Sequence, residues 1–286
     1  MSELVDRVTT TRLGRSAFKA VRPLIHAARR MANPPGVPTD QKVTNVSFRG
    51  KEFAIRQRRT YADSGVIEQC FKQSQYDLPV GVHGALMDRL YQEILDSGRQ
   101  PLIIDCGANI GCSALWFNAR YPKSHIFAIE PAPDNVELLR ANCAGLDIEI
   151  CSAGVAAEDG ASRIVDVGSG GWGYRTSSEG KGAEIAMISI GTVLASKPAT
   201  RYTPFLLKID IEGAEKSLFS GAVDSIAEFP LIIIEPHDWL FPGELSSQAF
   251  FRFHVNAGRE FCMRNENIAS IANHSSLLGV TKGRRN

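Results

Sequence analysis

The chain has 286 residues, with 32 Lys and Arg against 31 Asp and Glu for a formal net charge of +1, and 44% of it is hydrophobic. That length suits one large domain with an extension, or two small ones, and the composition is that of a globular protein rather than a disordered or fibrous one. A charge so close to balance excludes a global field for attracting nucleic acid, so no nucleic-acid partner is expected.

The first 30 residues carry Arg7, Arg12, Arg15, Lys19, Arg22, Arg29 and Arg30 against Glu3 and Asp6, then meet the breaker cluster Asn33-Pro34-Pro35-Gly36-Val37-Pro38. Residues 1–40 therefore read as a basic extension and linker. Phe18, Val21, Leu24, Ile25 and Ala28 recur at helical spacing, which suits either a helix packed on the domain or peripheral contact with an anionic membrane face. Met1 to Asn33 lacks the apolar centre of a secretory signal, and no run approaches the roughly 20 apolar residues that span a bilayer. Six scattered cysteines without a C-x-x-C pair add to the expectation of a reduced, cytoplasmic protein.

Residues 41–98 are expected to pack on the core, as short strands and turns up to Gln75 and then a helix over Leu86 to Leu95 that ends at Ser97-Gly98. Beyond them lies the main domain, 99–286. Short apolar runs at Leu102-Ile104, Ile126-Ile129, Phe205-Ile209 and Leu231-Ile234 alternate with amphipathic helices over Ser113 to Ala119, Asp134 to Cys143, from Ala214 and from about Glu244. Such runs without polar alternation belong to a parallel sheet covered on both faces, so the fold class is α/β, doubly wound. Between Ala153 and Ala199, strands over Arg163 to Val167 and Glu184 to Ile190 flank a glycine-rich stretch and predict an inserted hairpin.

The first strand-to-helix turn, Asp105-Cys106-Gly107-Ala108-Asn109-Ile110-Gly111, lies where a doubly wound sheet binds ligands. Gly107 and Gly111 allow a tight turn and a close backbone approach. The dinucleotide fingerprint would need glycines where Asn109 and Cys112 stand, and no P-loop signature is present. Asp105 to Ala119 contains no Lys or Arg, so Asp105 is expected to repel a polyphosphate and to favour a cationic ligand. Glu130 ends the next apolar run, where a carboxylate can accept hydrogen bonds from both ribose hydroxyls. Together these marks describe a phosphate-free, positively charged nucleoside, S-adenosylmethionine.

Asp210 and Glu212 stand two apart on an extended segment and so share a face. Glu235 and His237 repeat that spacing after the next run. His237, with an ordinary pKa of about 6.5, is a candidate general base for a hydroxyl acceptor, and Asp210 can also accept a hydrogen bond from the acceptor or the cofactor. No metal is required by this reading, although Asp210, Glu212, Glu235 and His237 also suit a hard divalent cation. Glu215 reads as a charge that complements a helix N-terminus, Lys208 as pointing away or pairing with an acid, and Cys106 and Cys112 as packing residues.

Ile103 to Gly111, Ile129-Glu130-Pro131 with Asn135, Leu138 and Asn142, Lys208 to Glu215, and Glu235-Pro236-His237 together resemble the FkbM family of S-adenosylmethionine-dependent methyltransferases over roughly residues 80–265. The resemblance implies the class I methyltransferase, Rossmann-like fold, a mostly parallel seven-stranded sheet, here with an inserted hairpin and an N-terminal extension. It implies O-methyl transfer to a hydroxyl of a sugar, glycan precursor or secondary metabolite. It further implies that Asp105, Gly107 and Asn109 line the methionine end of the cofactor, that Glu130 takes the ribose, and that Asp210 and Glu212 face the reacting centre. Trp172 and Tyr174 match no pattern of the family; Gly168 to Gly173 are expected to form part of a lid, with Trp172 or Tyr174 stacking on a sugar or on adenine. A nucleotide-dependent oxidoreductase and a non-catalytic cofactor-binding protein are the alternatives.

Overall fold

The computed structural model describes residues 40–78, 81–166, 174–177, 183–221 and 223–273. The basic extension and the expected lid, with Trp172, lie outside the described residues. Elements follow in chain order as β1 (Gln41–Phe48), β2 (Lys51–Arg58), α1 (Tyr61–Ile67) running into a π-helical turn (Glu68–Lys72), α2 (Val82–Asp96), β3 (Gln100–Cys106), α3 (Cys112–Arg120), β4 (His125–Ile129), α4 (Pro133–Asn142), β5 (Ile148–Cys151), β6 (Gly154–Ala156), β7 (Gly160–Asp166), β8 (Tyr174–Ser177), β9 (Ala183–Ser189), α5 (Ile190–Ala195), β10 (Tyr202–Ile209), α6 (Glu215–Leu218), α7 (Asp224–Ala227), β11 (Leu231–Ile234), α8 (Gln248–Asn256), β12 (Glu260–Arg264) and β13 (Asn267–Ile271).

The main sheet has seven strands in the order β12-β13-β11-β10-β3-β4-β5. β11, β10, β3, β4 and β5 are parallel, and β13 runs antiparallel to both β11 and β12. This is the mixed, mostly parallel seven-stranded sheet that the resemblance implies. Successive side chains of its apolar runs enter opposite cores. Ile103, Leu206 and Ile233 pack with Trp116, Phe117 and Met87 on one face, whereas Leu102, Ile104, Leu207, Ile232 and Ile234 pack with Val193 and Phe250 on the other. Two-sided burial explains the lack of polar alternation. Strand order reverses between β3 and β10, which opens a crevice at their carboxyl ends.

Three departures from the sequence expectation have local causes. The stretch before Gln75 holds a helix as well as the β1-β2 hairpin, because Thr60 caps α1 by accepting from the Asp63 backbone N–H, and the π-helical turn breaks the 3.6-residue period that would have marked it. The insertion is a four-stranded sheet, β6-β9-β7-β8, rather than a hairpin. β9 stops at Ser189, whose hydroxyl accepts from the Thr192 backbone N–H and starts α5 at Ile190. The last helix begins at Gln248, four residues past Glu244, after Gly243 and Leu245 adopt positive φ. Among the described residues no helix is long and apolar enough to cross a membrane.

Residues 41–78 join the same core through Ile55, Ile67, Cys70 and Phe71. They also reach the crevice by polar bonds. Asn142 accepts from the Arg56 backbone N–H at 2.7 Å and donates to the carbonyls of Arg56 and Ile110.

Candidate active site

β3, β4, β10 and β11 deliver Asp105, Glu130, Asp210 and Glu235 to one edge of the sheet. Gly107 can cross there only because it lacks a side chain: at φ +79° a Cβ would stand 1.9 Å from the Asp210 carbonyl oxygen. The turn is pinned by Gly107 and Ala108 N–H groups donating to the Ile129 carbonyl at 2.9 and 3.0 Å. Gly111, at φ +96°, lets the start of α3 close on Leu139 of α4 and on Cys143 at its end.

Glu130 is buried. One carboxylate oxygen accepts from the Asn109 backbone N–H at 2.9 Å, and the other from the Ala132 N–H and the Asn135 side chain at 3.0 and 3.1 Å. Burial raises its pKa, and these three donors oppose the rise. Asn135 in turn accepts from Arg58 at 2.6 Å, and Arg58 pairs with buried Asp63 at 2.9 Å. A relay from the N-terminal hairpin therefore holds the carboxylate in place.

Two clefts meet at this edge. The first encloses about 600 Å³, open solvent included, between Gly107, Asn109, Glu130, Gly154, Asp210 and Glu212. The second, about 430 Å³, shares Gly107, Asn109, Asp210 and Glu212 and is completed by Gln69, Gln75, Tyr76 and Glu235.

His237 is wholly buried. Its Nδ1 is 2.7 Å from Glu215 Oε1, and its Nε2 stands 3.5, 3.6 and 3.7 Å from carboxylate oxygens of Asp210, Glu212 and Glu235. Burial alone would lower its pKa, but Glu212, Glu215 and Glu235 outweigh it and lift the group to about 10. With no cation bound, these carboxylates favour the protonated ring, against the expectation of a free base near pH 6.5. An isolated imidazole titrates there; one ringed by carboxylates does not.

Asp105 also sits differently from expectation. It is fully buried beneath the turn and lines neither cleft, accepting from Ser113 Oγ at 2.6 Å and lying 3.3 Å from Lys208 Nζ. Lys208, buried as well, donates to the Gly107 carbonyl at 2.7 Å and lies 3.5 Å from Asp210. Burial would lower its pKa, yet Asp105 and Asp210 hold it above the ordinary lysine value. The carboxylate expected to repel phosphates is thus neutralised by a neighbour 103 residues along the chain.

A family profile described as the methyltransferase FkbM domain matches residues 105–255, more than half of the chain. The chain belongs to the FkbM methyltransferase family. S-adenosylmethionine is that family's cofactor. The chain is similar to Methyltransferase sdnD of Sordaria araneosa, 40% identical over 52 residues that cover 18% of this chain and 20% of that protein. It is also similar to Methyltransferase 1 of Beauveria bassiana, 27% identical over 146 residues that cover 43% of this chain and 58% of that protein. It thus matches less than two thirds of the length of either relative. Among solved structures it is similar to an O-methyltransferase from Bacillus cereus in complex with SAH, 11% identical with a TM-score of 0.35, covering 72% of this chain and 90% of that one. A methyltransferase from Geobacter sulfurreducens is 15% identical with a TM-score of 0.34, covering 73% and 89%.

Of the residues singled out in the sequence, Gly107, Asn109, Glu130, Asp210 and Glu212 line the first cleft. Gly111 lies behind it against α4, and His237 lies beneath the carboxylates. Cys106 and Cys112 are fully buried, and burial pushes both thiols up, as packing residues require. Sequence reasoning missed Gln69, Gln75 and Tyr76, because a polar segment with no clear period carries no mark of a cleft wall. It also missed Glu215 as the partner of His237, since its place in the first turn of α6 is a sufficient local explanation.

Proposed function

We propose that this FkbM-family protein transfers the methyl group of S-adenosylmethionine to a hydroxyl oxygen of a sugar, glycan precursor or secondary metabolite. The observation that carries the reading is the convergence of Glu130, Asp210 and Glu212 on one cleft beside the Gly107 turn. The residues present fit the cofactor: Glu130 offers acceptor oxygens for a ribose, the Asn109 side-chain oxygen is buried with no hydrogen bond of its own, and the missing Cβ of Gly107 leaves the turn open. Bound S-adenosylmethionine supplies an electrophilic methyl on a sulfonium.

The acceptor belongs in the second cleft, whose Gln69, Gln75 and Tyr76 suit a hydroxyl-bearing molecule. Burial keeps the Tyr76 phenol protonated and so able to donate. Bonding of an acceptor oxygen to that methyl, with the carbon–sulfur electron pair left on sulfur, would require the hydroxyl proton to leave. Where His237 carries a proton, Asp210 or Glu212 takes that of the hydroxyl, and the imidazolium keeps the two carboxylates in place. Alignment and exclusion of water supply much of the remaining rate.

Calorimetric titration with S-adenosylmethionine tests the reading. The native protein binds it and not NADH, whereas Glu130→Ala weakens binding by about 10-fold or more, roughly 1.4 kcal/mol or more, while circular dichroism shows the fold intact. Equal affinity in the variant would remove Glu130 from the ribose. Release of S-adenosylhomocysteine with hydroxylated acceptors, and none with acceptors whose hydroxyls are blocked, separates oxygen transfer from other methylation.

A further inference from the structure

The structure assigns a divalent-cation site to Asp210, Glu212 and His237, at the partition between the two clefts. One donor atom from each residue lies within 4.8 Å of the others. Donors around a single cation at about 2.1 Å stand roughly 3.0 Å apart when adjacent and about 4.2 Å when opposite, so the observed separations of 3.5 and 3.6 Å from Nε2 to Asp210 and Glu212 need only small closure. Glu235, 3.7 Å from the same nitrogen, can supply a further oxygen.

A cluster of acids alone would not make a site; the imidazole does. Nε2 of His237 is fully buried, makes no hydrogen bond, and points into the carboxylates. Its other nitrogen is held by Glu215 at 2.7 Å, the carboxylate–histidine arrangement that fixes the ring; a cation that binds there displaces the Nε2 proton to solvent and takes its place among the carboxylates. Lys208, the lysine close to Asp210, is already shared with Asp105 and two backbone carbonyls. Two or three carboxylate oxygens and one imidazole suit a hard or borderline cation of the Mg²⁺ or Mn²⁺ class better than thiolate-seeking metals. The backbone is shaped for the cluster as well. Glu212 adopts φ +51°, and Gly213 at φ +93° leaves no room for a Cβ against the Phe241 ring.

The inference rests on the methyl-transfer reading only for the cation's role, which is to hold the acceptor hydroxyl and favour loss of its proton. The site itself is tested without turnover. Mn²⁺ titrated into the full chain and followed by electron paramagnetic resonance should show one saturable ion per chain, displaced by Mg²⁺. Asp210→Asn and Glu212→Gln, both at partly exposed positions, should each weaken it at least 10-fold while circular dichroism confirms the fold. Glu149→Gln, beside the remote His125, should leave it unchanged. Absence of saturable Mn²⁺ binding, or binding that survives both cluster variants, overturns the site. Cofactor titration in the same samples keeps the two readings apart: S-adenosylmethionine bound without Mn²⁺ sinks the cation site alone, and Mn²⁺ bound without S-adenosylmethionine sinks the cofactor reading alone.

Discussion

Two histidines at opposite ends of the central strands have the same kinds of neighbour and different fates. His125 opens β4 at the amino edge, 2.7 Å from Asp147 and 3.4 Å from Glu149. His237 follows β11 at the carboxyl edge, within 3.7 Å of four carboxylates. The partners of His125 are half exposed, 51% and 50%, whereas Glu215 and Glu235 are 0% and 6% exposed. The His125 ring is buried too, but its carboxylate partners reach water, which screens them. The second is held in a low-dielectric pocket where each charge must be answered by another, and the answer available among these residues is a proton or a metal on His237. Burial and position on the sheet, rather than residue type, separate scaffold from site.

The comparison breaks first at the close contact of Gly107. Gly107→Ala should cost roughly 2–4 kcal/mol of stability, because both the positive φ and the Asp210 carbonyl oppose a side chain; denaturant unfolding measures this. A stability equal to the native protein's would mean that the turn and β10 are not in contact. Next comes Glu215→Gln, which keeps a hydrogen-bond acceptor but removes a charge from beneath His237. Turnover should fall by about 10–100-fold, with S-adenosylmethionine affinity changing less than about 2-fold. An equal loss in both would make Glu215 a general structural support instead of a positioning residue.

At the other edge, Glu149→Gln, at a half-exposed carboxylate beside His125, should cost less than about 1 kcal/mol and leave turnover unchanged. A large loss of activity there would erase the distinction between the edges. The smallest expected effect is on pH dependence. Burial pushes Asp147 up, but hydrogen bonds from His125 and Gln100 outweigh it and hold the carboxyl below its ordinary 3.8. A lowered folded-state pKa contributes stability that is fully present above the unfolded value and lost as pH falls through the folded one. The stability difference between the native protein and Asp147→Asn should therefore be flat near neutrality and shrink below about pH 4. A difference that grew on acidification would reverse the sign of that interaction.

Much of the fold was legible because its signals are local. Four apolar runs ending in a glycine turn or an acid became β3, β4, β10 and β11, and the alternation with helices identified a two-sided parallel sheet. The expected strand pair in the insertion became β7 and β9, but the edge pair β12 and β13 and the insertion's further strands β6 and β8 were not legible, since short strands broken by turns leave too little period to detect. The same limit applied to α1 and its π-helical turn, and with them to the Gln69, Gln75 and Tyr76 wall of the second cleft.

By itself the sequence determined the Gly107 turn, the acid at Glu130, the Asp210 to Glu215 motif and hence the family, all of which depend on residue type and spacing along a few neighbouring positions. Only the tertiary structure decided what those groups do to one another. It brought Lys208 under Asp105, so that the turn's carboxylate no longer faces a ligand, and it closed Glu215 onto His237, so that the expected base holds a proton or a cation. Charge, burial and ligand geometry act through space, and the separations that set them do not exist until strands distant in sequence lie side by side.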